Sequence, residues 1–263
     1  MPRVVALYRY PVKGFTPEEC HALTILDEGR VAGDRVLAFR LASSSAPDAA
    51  WTRKHDCVVL MNTPGLARLE VRFDQRAQRL RIGLEGGVLA EDSLDEGGRQ
   101  RLAAAVERYV LGLPENPLSG HPQRLPLRLV GDGVTPRFQD NVDGHTTLHG
   151  RGSLAALSVA ARDPALSEIR FRSNIAVGGL GAWEELGWMG RKLRVGEVEF
   201  EVVKRKVRCL ATHANPQTGE RDVQVMTTLM RAFSQEEPTF AVGMTTHGAG
   251  GTVRIGDNVT VLD

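Results

Sequence analysis

The stretch Val195-Gly196-Glu197-Val198-Glu199-Phe200-Glu201-Val202 most narrows what this chain can become. Val198, Phe200 and Val202 alternate with Glu197, Glu199 and Glu201, so an extended backbone puts apolar side chains on one face and carboxylates on the other. The same alternation recurs at residues 66–73 and 79–84. Shorter apolar runs at 4–10, 23–26, 35–40, 127–130, 239–244 and 252–262 read as further strands, with Gly33-Asp34 and Gly256-Asp257 as turns. Helical spacing occurs at Leu102, Val106 and Val110, and a second helix starts at Ser153-Leu154 and stops near Asp163-Pro164. Many short strands and few helices predict an α+β, β-rich fold of the barrel type.

The chain has 263 residues, 42% of them hydrophobic, enough for one large core or two modest ones. A proline-rich stretch at 113–131 divides it, and two β-rich domains are expected, 1–120 and 121–263. The net charge of +1 gives no overall pull toward nucleic acid or an acidic membrane, so neither is expected as a partner. The first ten residues hold only a short apolar run broken by Arg9, which predicts neither a signal peptide nor a membrane span. Cys20, Cys57 and Cys209 form no CxxC pair and no zinc pattern. So sparse and odd a set fits a reducing compartment, and a cytoplasmic location is expected.

Cys209 differs from the other two cysteines. It follows Lys204-Arg205-Lys206-Val207-Arg208 at the end of the alternating strand. Nearby positive charge favours the thiolate, which is both the nucleophile and the soft-metal ligand. Taken alone, the same residues also read as a free cysteine beside a solvated basic run.

Four other clusters carry potential chemistry. Lys13-Gly14, after Tyr10-Pro11-Val12, can set an ammonium on a phosphate at a strand end, or be a solvated turn. Arg35, after Gly33-Asp34, can make a bidentate pair with phosphate or carboxylate, or a surface pair with Asp34. In Phe171-Arg172-Ser173-Asn174-Ile175, extension places Arg172 and Asn174 on one face, able to read a charge and a heterocycle edge. Asn215-Pro216-Gln217-Thr218-Gly219 reads as a plain tight turn. There is no GxGxxG, P-loop or G-x-S-x-G sequence, and the seven histidines form no zinc-protease pair, so nucleotide, serine-hydrolase and zinc-protease chemistry lack support.

The order of these clusters, with Thr52-Arg53, Ser153-Leu154, Trp188 and Pro216-Gln217-Thr218-Gly219, resembles the MOSC family, the molybdenum-cofactor sulfurase C-terminal domains. The likeness is greatest to proteins that join a MOSC N-terminal domain to a MOSC domain, a group that includes the mitochondrial amidoxime-reducing component. The resemblance implies two β-barrel-like domains with a molybdenum cofactor between them. It implies Cys209 as the molybdenum ligand and catalytic residue, with Lys13, Gly14, Arg35, Ser153, Arg172, Asn174 and Arg208 around the pterin and its phosphate. Gly14 and Val207 depart from the serines of the amidoxime reducers.

The implied function is reduction of N-hydroxylated small molecules such as amidoximes, hydroxylamines and N-hydroxylated bases, independent of pyridoxal phosphate. Three scattered cysteines cannot ligate a two-iron cluster. Electrons would come from a separate ferredoxin-, flavin- or cytochrome-type protein. The alternatives are a sulfur carrier or transferase working through a Cys209 persulfide, and a non-enzymatic carrier of the molybdenum cofactor.

Overall fold

A computed structural model describes residues 1–262. The first forty residues give β1 (Arg3–Arg9), β2 (Glu18–Cys20), β3 (Ala22–Ile25) and β4 (Ala38–Arg40). A meander follows, β5 (Leu69–Asp74), β6 (Arg79–Leu84) and β7 (Gly87–Ser93), then α1 (Glu96–Leu111) and β8 (Arg128–Val130). The rest comprises β9 (Thr146–Gly150), α2 (Arg151–Ala161), β10 (Ile175–Gly178), β11 (Lys192–Val195), β12 (Val198–Val207), α3 (Val225–Ala232), β13 (Thr239–Thr246), β14 (Gly251–Arg254) and β15 (Val259–Leu262). The β-rich expectation is met. No helix among the described residues is long and apolar enough to cross a membrane.

Eight strands form one mixed sheet in the order β15-β11-β12-β13-β9-β10-β1-β2, with β9 and β10 parallel and the other pairs antiparallel. The sheet curls without closing into a continuous barrel. Between β1 and β15 there is one bridge, Arg3 to Asn258, with the Val4 N–H donating to Asp257 O at 2.9 Å and the Val259 N–H to Pro2 O at 3.0 Å. Inside the curl lie Val198, Phe200 and Val202 of β12, packed with Leu193, Val195, Leu148, Val242 and Met244. The alternation of residues 195–202 is real, but it is not one strand. Gly196 takes φ +59°, and β11 turns back into β12 so that Val195 pairs with Val198. Glycine with positive φ at the first turn position is what a two-residue hairpin needs. The apolar phase slips by one residue there, from Leu193 and Val195 to Val198, Phe200 and Val202, and that slip is the reversal's trace in the sequence.

A second core is built from β5-β6-β7, the β4-β8 pair and α1, around Phe39, Leu69, Val71, Leu80, Ile82, Leu102, Val106 and Val110. Helix α1 begins six residues before the expected Leu102. Asp95 caps it, its carboxylate accepting from the Gly98 N–H at 2.7 Å, and Gly97-Gly98 fall in the first turn.

The packing divides the chain differently from the expected boundary at residue 120. Strands β1, β2 and β3 belong with the larger core, β1 pairing with β10 and β3 with β14. The proline-rich stretch is largely exposed, as its composition suggests, yet it connects α1 to β8 inside the smaller core rather than joining two domains. Most of the smaller core is thus inserted between β3 and β9, with Val12 and Phe15 of the β1–β2 connection and Ala214 packed into it.

Asn174 ties these parts together. It is fully buried, its amide donating to Tyr8 O at 3.1 Å and Asp34 Oδ1 at 3.2 Å. Its carbonyl oxygen accepts from the Thr147 N–H at 3.2 Å and the Thr147 hydroxyl at 2.9 Å. Strands β1 and β9, the start of β10 and the Gly33-Asp34 turn meet on this one side chain. Replacing it with alanine strands buried partners and is expected to cost about 2–4 kcal/mol of stability. Chemical denaturation of Asn174→Ala measures this; an unchanged midpoint would refute the clip.

Candidate functional site

Loops from both cores converge on a cavity of about 490 Å³. The smaller core and its connections supply Arg35, Trp51, Arg53, Lys54, Gln139 and Asp140, while the larger sheet and its loops supply His145, Arg172 and residues 204–209. A narrow side chamber of about 40 Å³ adjoins it, walled by Lys13, Gly14 and Met61. Cys209, Arg35, Lys54, Asp140 and Arg172 line both spaces. The thiol is free and half-buried at the end of β12. Its backbone carbonyl accepts from the Thr212 N–H and hydroxyl, each at 3.0 Å, which fixes the residue at the entry to a 3-10 turn, Leu210–His213.

Two of the lining arginines rest on a buried tyrosine. The guanidinium groups of Arg35 and Arg172 lie over the Tyr10 ring, 4.7 and 4.4 Å from its centroid. Arg35 pairs with the buried Asp34 and donates to Arg172 O at 3.1 Å, and Arg172 donates to Phe15 O. Both arginines adopt the left-handed backbone, φ +53° and +54°. Such backbone costs of order 1–3 kcal/mol for a non-glycine residue and collects where function over-determines it.

Burial, with Arg35 as neighbour, pushes the Arg172 guanidinium down to about 10. Burial alone accounts for most of the same fall, to about 10, at Arg208. It pushes Lys206 down to about 8, helped by Arg208, and His145 down to about 4, helped by Lys206. The crowding that opposes ionisation of Asp140 is outweighed by Lys13, Arg35 and Arg172, which hold its carboxyl well below the usual carboxylate range. Cations packed this closely, with Asp140 as the carboxylate in the lining, make a cavity that favours an anion.

Of the residues expected at the site, Arg35, Arg172, Arg208 and Cys209 are brought together on one cavity. Lys13 reaches only the side chamber, and it is spent. Its buried ammonium donates to Phe138 O at 2.8 Å, Gln139 O at 3.3 Å and Asp140 at 3.2 Å. Gly14 is explained without a cofactor. At φ +78°, any Cβ there would sit 2.6 Å from Val59, so a serine does not fit this backbone.

Asn174 and Ser153 do not reach the cavity. Asn174 is consumed by the clip described above. The residues 171–174 are not extended either: a 3-10 turn, Glu168–Phe171, runs into left-handed Arg172, so Arg172 and Asn174 point to different places. Ser153 lies buried in the first turn of α2, donating to Glu185 at 2.8 Å and accepting from the Trp183 N–H at 2.7 Å.

Asp140, Gln139 and His145 were not legible as site residues. Gln139 and His145 line the cavity, and the buried Oε1 of the first and Nδ1 of the second have no hydrogen-bond partner in the protein. They mark positions for ligand donors or acceptors. Among the described residues no three His, Cys, Asp or Glu side chains converge as a metal cluster. A metal at Cys209 would therefore take its remaining ligands from a cofactor or water.

Residues 137–260 match the family model described as MOSC domain. A segment of 73 residues is 36% identical to proteins named molybdenum cofactor sulfurase from Caenorhabditis briggsae and Caenorhabditis elegans. It covers 28% of this chain and only 10% of those relatives' length. Among solved structures, the YuaD protein of Bacillus subtilis superposes with a TM-score of 0.42 at 10% identity, over 98% of this chain and 94% of that one. YiiM of Geobacillus stearothermophilus gives 0.34 at 14% identity, over 45% and 54%. Both superpositions are distant. The family match spans β9 to β15, the strands that carry Arg172, Arg208 and Cys209 to the cavity: residues 137–260 of this chain are similar to the MOSC domain.

Proposed function

We propose that the cavity holds a molybdenum cofactor, with Cys209 as the protein's ligand to the metal, and that the loaded protein reduces N-hydroxylated small molecules. The observation that carries this reading is a free, half-buried thiol opening into a cation-lined cavity between two cores. The donor set suits the group. A thiolate is the soft ligand molybdenum favours, and Arg35, Arg172 and Arg208 offer charge-assisted hydrogen bonds to a pterin phosphate. The unpartnered Gln139 Oε1 and His145 Nδ1 suit a polar heterocycle edge.

When bound, the cofactor would supply a two-electron redox centre. The overall reaction on an amidoxime consumes two electrons and two protons. The N–O bond breaks, the nitrogen takes up one proton to become the amidine N–H, and the hydroxyl takes the other and leaves as water. The electrons would come from an external ferredoxin-, flavin- or cytochrome-type donor. The chain itself binds and orients. Arg35 and Arg172 anchor the phosphate above Tyr10, Cys209 sets the metal's position, and Val207, which is 49% exposed and also lines the cavity, presents an apolar edge to substrate.

A second reading rests on the named relatives: Cys209 would carry sulfur as a persulfide and pass it to an acceptor. Molybdenum and pterin content of protein from a cofactor-competent host, with cyanide-labile sulfur, separates the two. Stoichiometric molybdenum with turnover supports the reductase. Labile sulfur without molybdenum supports the carrier. A protein holding molybdenum without turnover would be a cofactor carrier.

Cys209→Ser is expected to keep most of its pterin, because the arginines still hold the phosphate, and to lose reductase turnover with an artificial electron donor. Cys20→Ser and Cys57→Ser should stay active; equal loss in all three would mean misfolding. Arg35→Ala and Arg172→Ala should each weaken cofactor retention about tenfold or more, the worth of a charge-assisted hydrogen bond. Full retention by both variants under dilution would move the phosphate elsewhere.

The Lys206 ammonium gives a pH dependence. A bound anion favours the charged lysine, so affinity is full below pH 8 and falls as pH rises past about 8, by up to about tenfold per unit while binding must take up a proton. Calorimetric titration of cofactor-free protein with inorganic pyrophosphate from pH 6 to 9.5 measures this. Lys206→Arg should flatten the curve, and a flat wild-type curve would remove Lys206 from the site.

A further inference from the structure

The cavity holds more positive charge than a phosphate anchor needs, and the surplus lines two walls from different parts of the fold. Arg53 belongs to the smaller core and Lys204 to β12 of the large sheet. Both line the larger cavity but not the side chamber, whereas Arg35, Arg172 and Cys209 line both. The surplus therefore lies away from the Tyr10 platform, toward the mouth.

Neither side chain has an ion-pair or hydrogen-bond partner among the described residues. Several exposed arginines elsewhere pair with carboxylates instead: Arg79 with Glu91, Arg101 with Asp92, Arg194 with Glu199. The whole chain is nearly balanced, with 33 basic and 32 acidic residues, so the excess at the mouth is local. The lining's carboxylate, Asp140, is already 3.2 Å from the Lys13 ammonium. Lys54, between the two spaces, adds to the excess.

We propose that the substrate carries an anionic group of its own, a carboxylate or phosphate, held between Arg53 and Lys204 while its N-hydroxylated end faces Cys209. This rests on the reductase reading for the reacting end, but the anion recognition does not depend on turnover. Cations lining a concave space suit a small anion that enters it, and a cleft of one sign raises the local concentration of such a ligand. The two walls come from different cores, so the anion would also bridge them.

The test is a matched pair of substrates, an aromatic amidoxime and its para-carboxylate, reduced by the cofactor-loaded protein with the same artificial electron donor. The carboxylate is expected to show kcat/KM higher by about tenfold or more, from one charge-assisted contact. The advantage should shrink as salt rises. In the double variant Arg53→Glu and Lys204→Glu the ratio of the two kcat/KM values should fall to one or below, a readout that general loss of activity does not move.

Equal kcat/KM for the pair overturns the inference and leaves the reductase reading standing. Reduction of neither compound overturns the reductase reading. Calorimetric titration with the same pair then decides: tighter binding of the carboxylate, lost in the double variant, upholds the anion site, and equal binding overturns it.

Discussion

The Asp34 carboxylate is the interaction on which the rest of this structure hangs. Buried to 2% exposure, it accepts from the Tyr10 N–H at 2.8 Å, from the Asn174 amide at 3.2 Å and from the Arg35 guanidinium. One oxygen fixes where β1 ends relative to the start of β10. The other fixes the direction of Arg35, and through it the stack on Tyr10. A buried carboxylate without partners is costly, whereas one with several charged and neutral donors is a rigid node. The fold and the site thus share one residue, and this part of the cavity lining is as well defined as the core behind it.

Around that node the protein accumulates like charge. Arg35 and Arg172 share a ring face region, and Arg208 and Lys206 crowd behind them. Such an arrangement opposes folding, and it persists because the backbone carbonyls of Phe15, Phe171 and Arg172 accept from the guanidinium groups. Carbonyl oxygens neutralise nothing. They orient the arginines, and the charge of Arg172 and Arg208 is left for a ligand. This is electrostatic preorganisation at the expense of stability, the trade that binding sites commonly make.

The β-rich class, the alternation through β12, the two helical segments and the singular position of Cys209 were all legible in the sequence. They depend on local periodicity or on charge next to a thiol, which neighbours along the chain reveal. What escaped depends on long-range pairing. Nothing local says that β1 joins β10, so the smaller core could not be recognised as an insertion. The turn at Gly196 showed only as a one-residue slip in the alternation. Asn174 and Arg172 were assigned one face because extension was assumed, and the left-handed Arg172 breaks that alternation. Asp140 carries no motif; only the fold brings it to Lys13, more than a hundred residues away in sequence.

The inserted core has a consequence for the order of events during folding. Its meander and α1 pair with near neighbours, so they can close as soon as residues 36–130 exist. Strand β1 must wait for β10, some 170 residues later, and for the Asn258 bridge at the far end of the curled sheet. Contacts of such separation carry the largest loop-closure cost and form last. Tyr10, Asp34 and Arg35 sit just where that late strand hands over to the insertion. The cation-rich cavity is accordingly assembled by the closing step, so its mutual repulsion is met only after both cores have formed to oppose it.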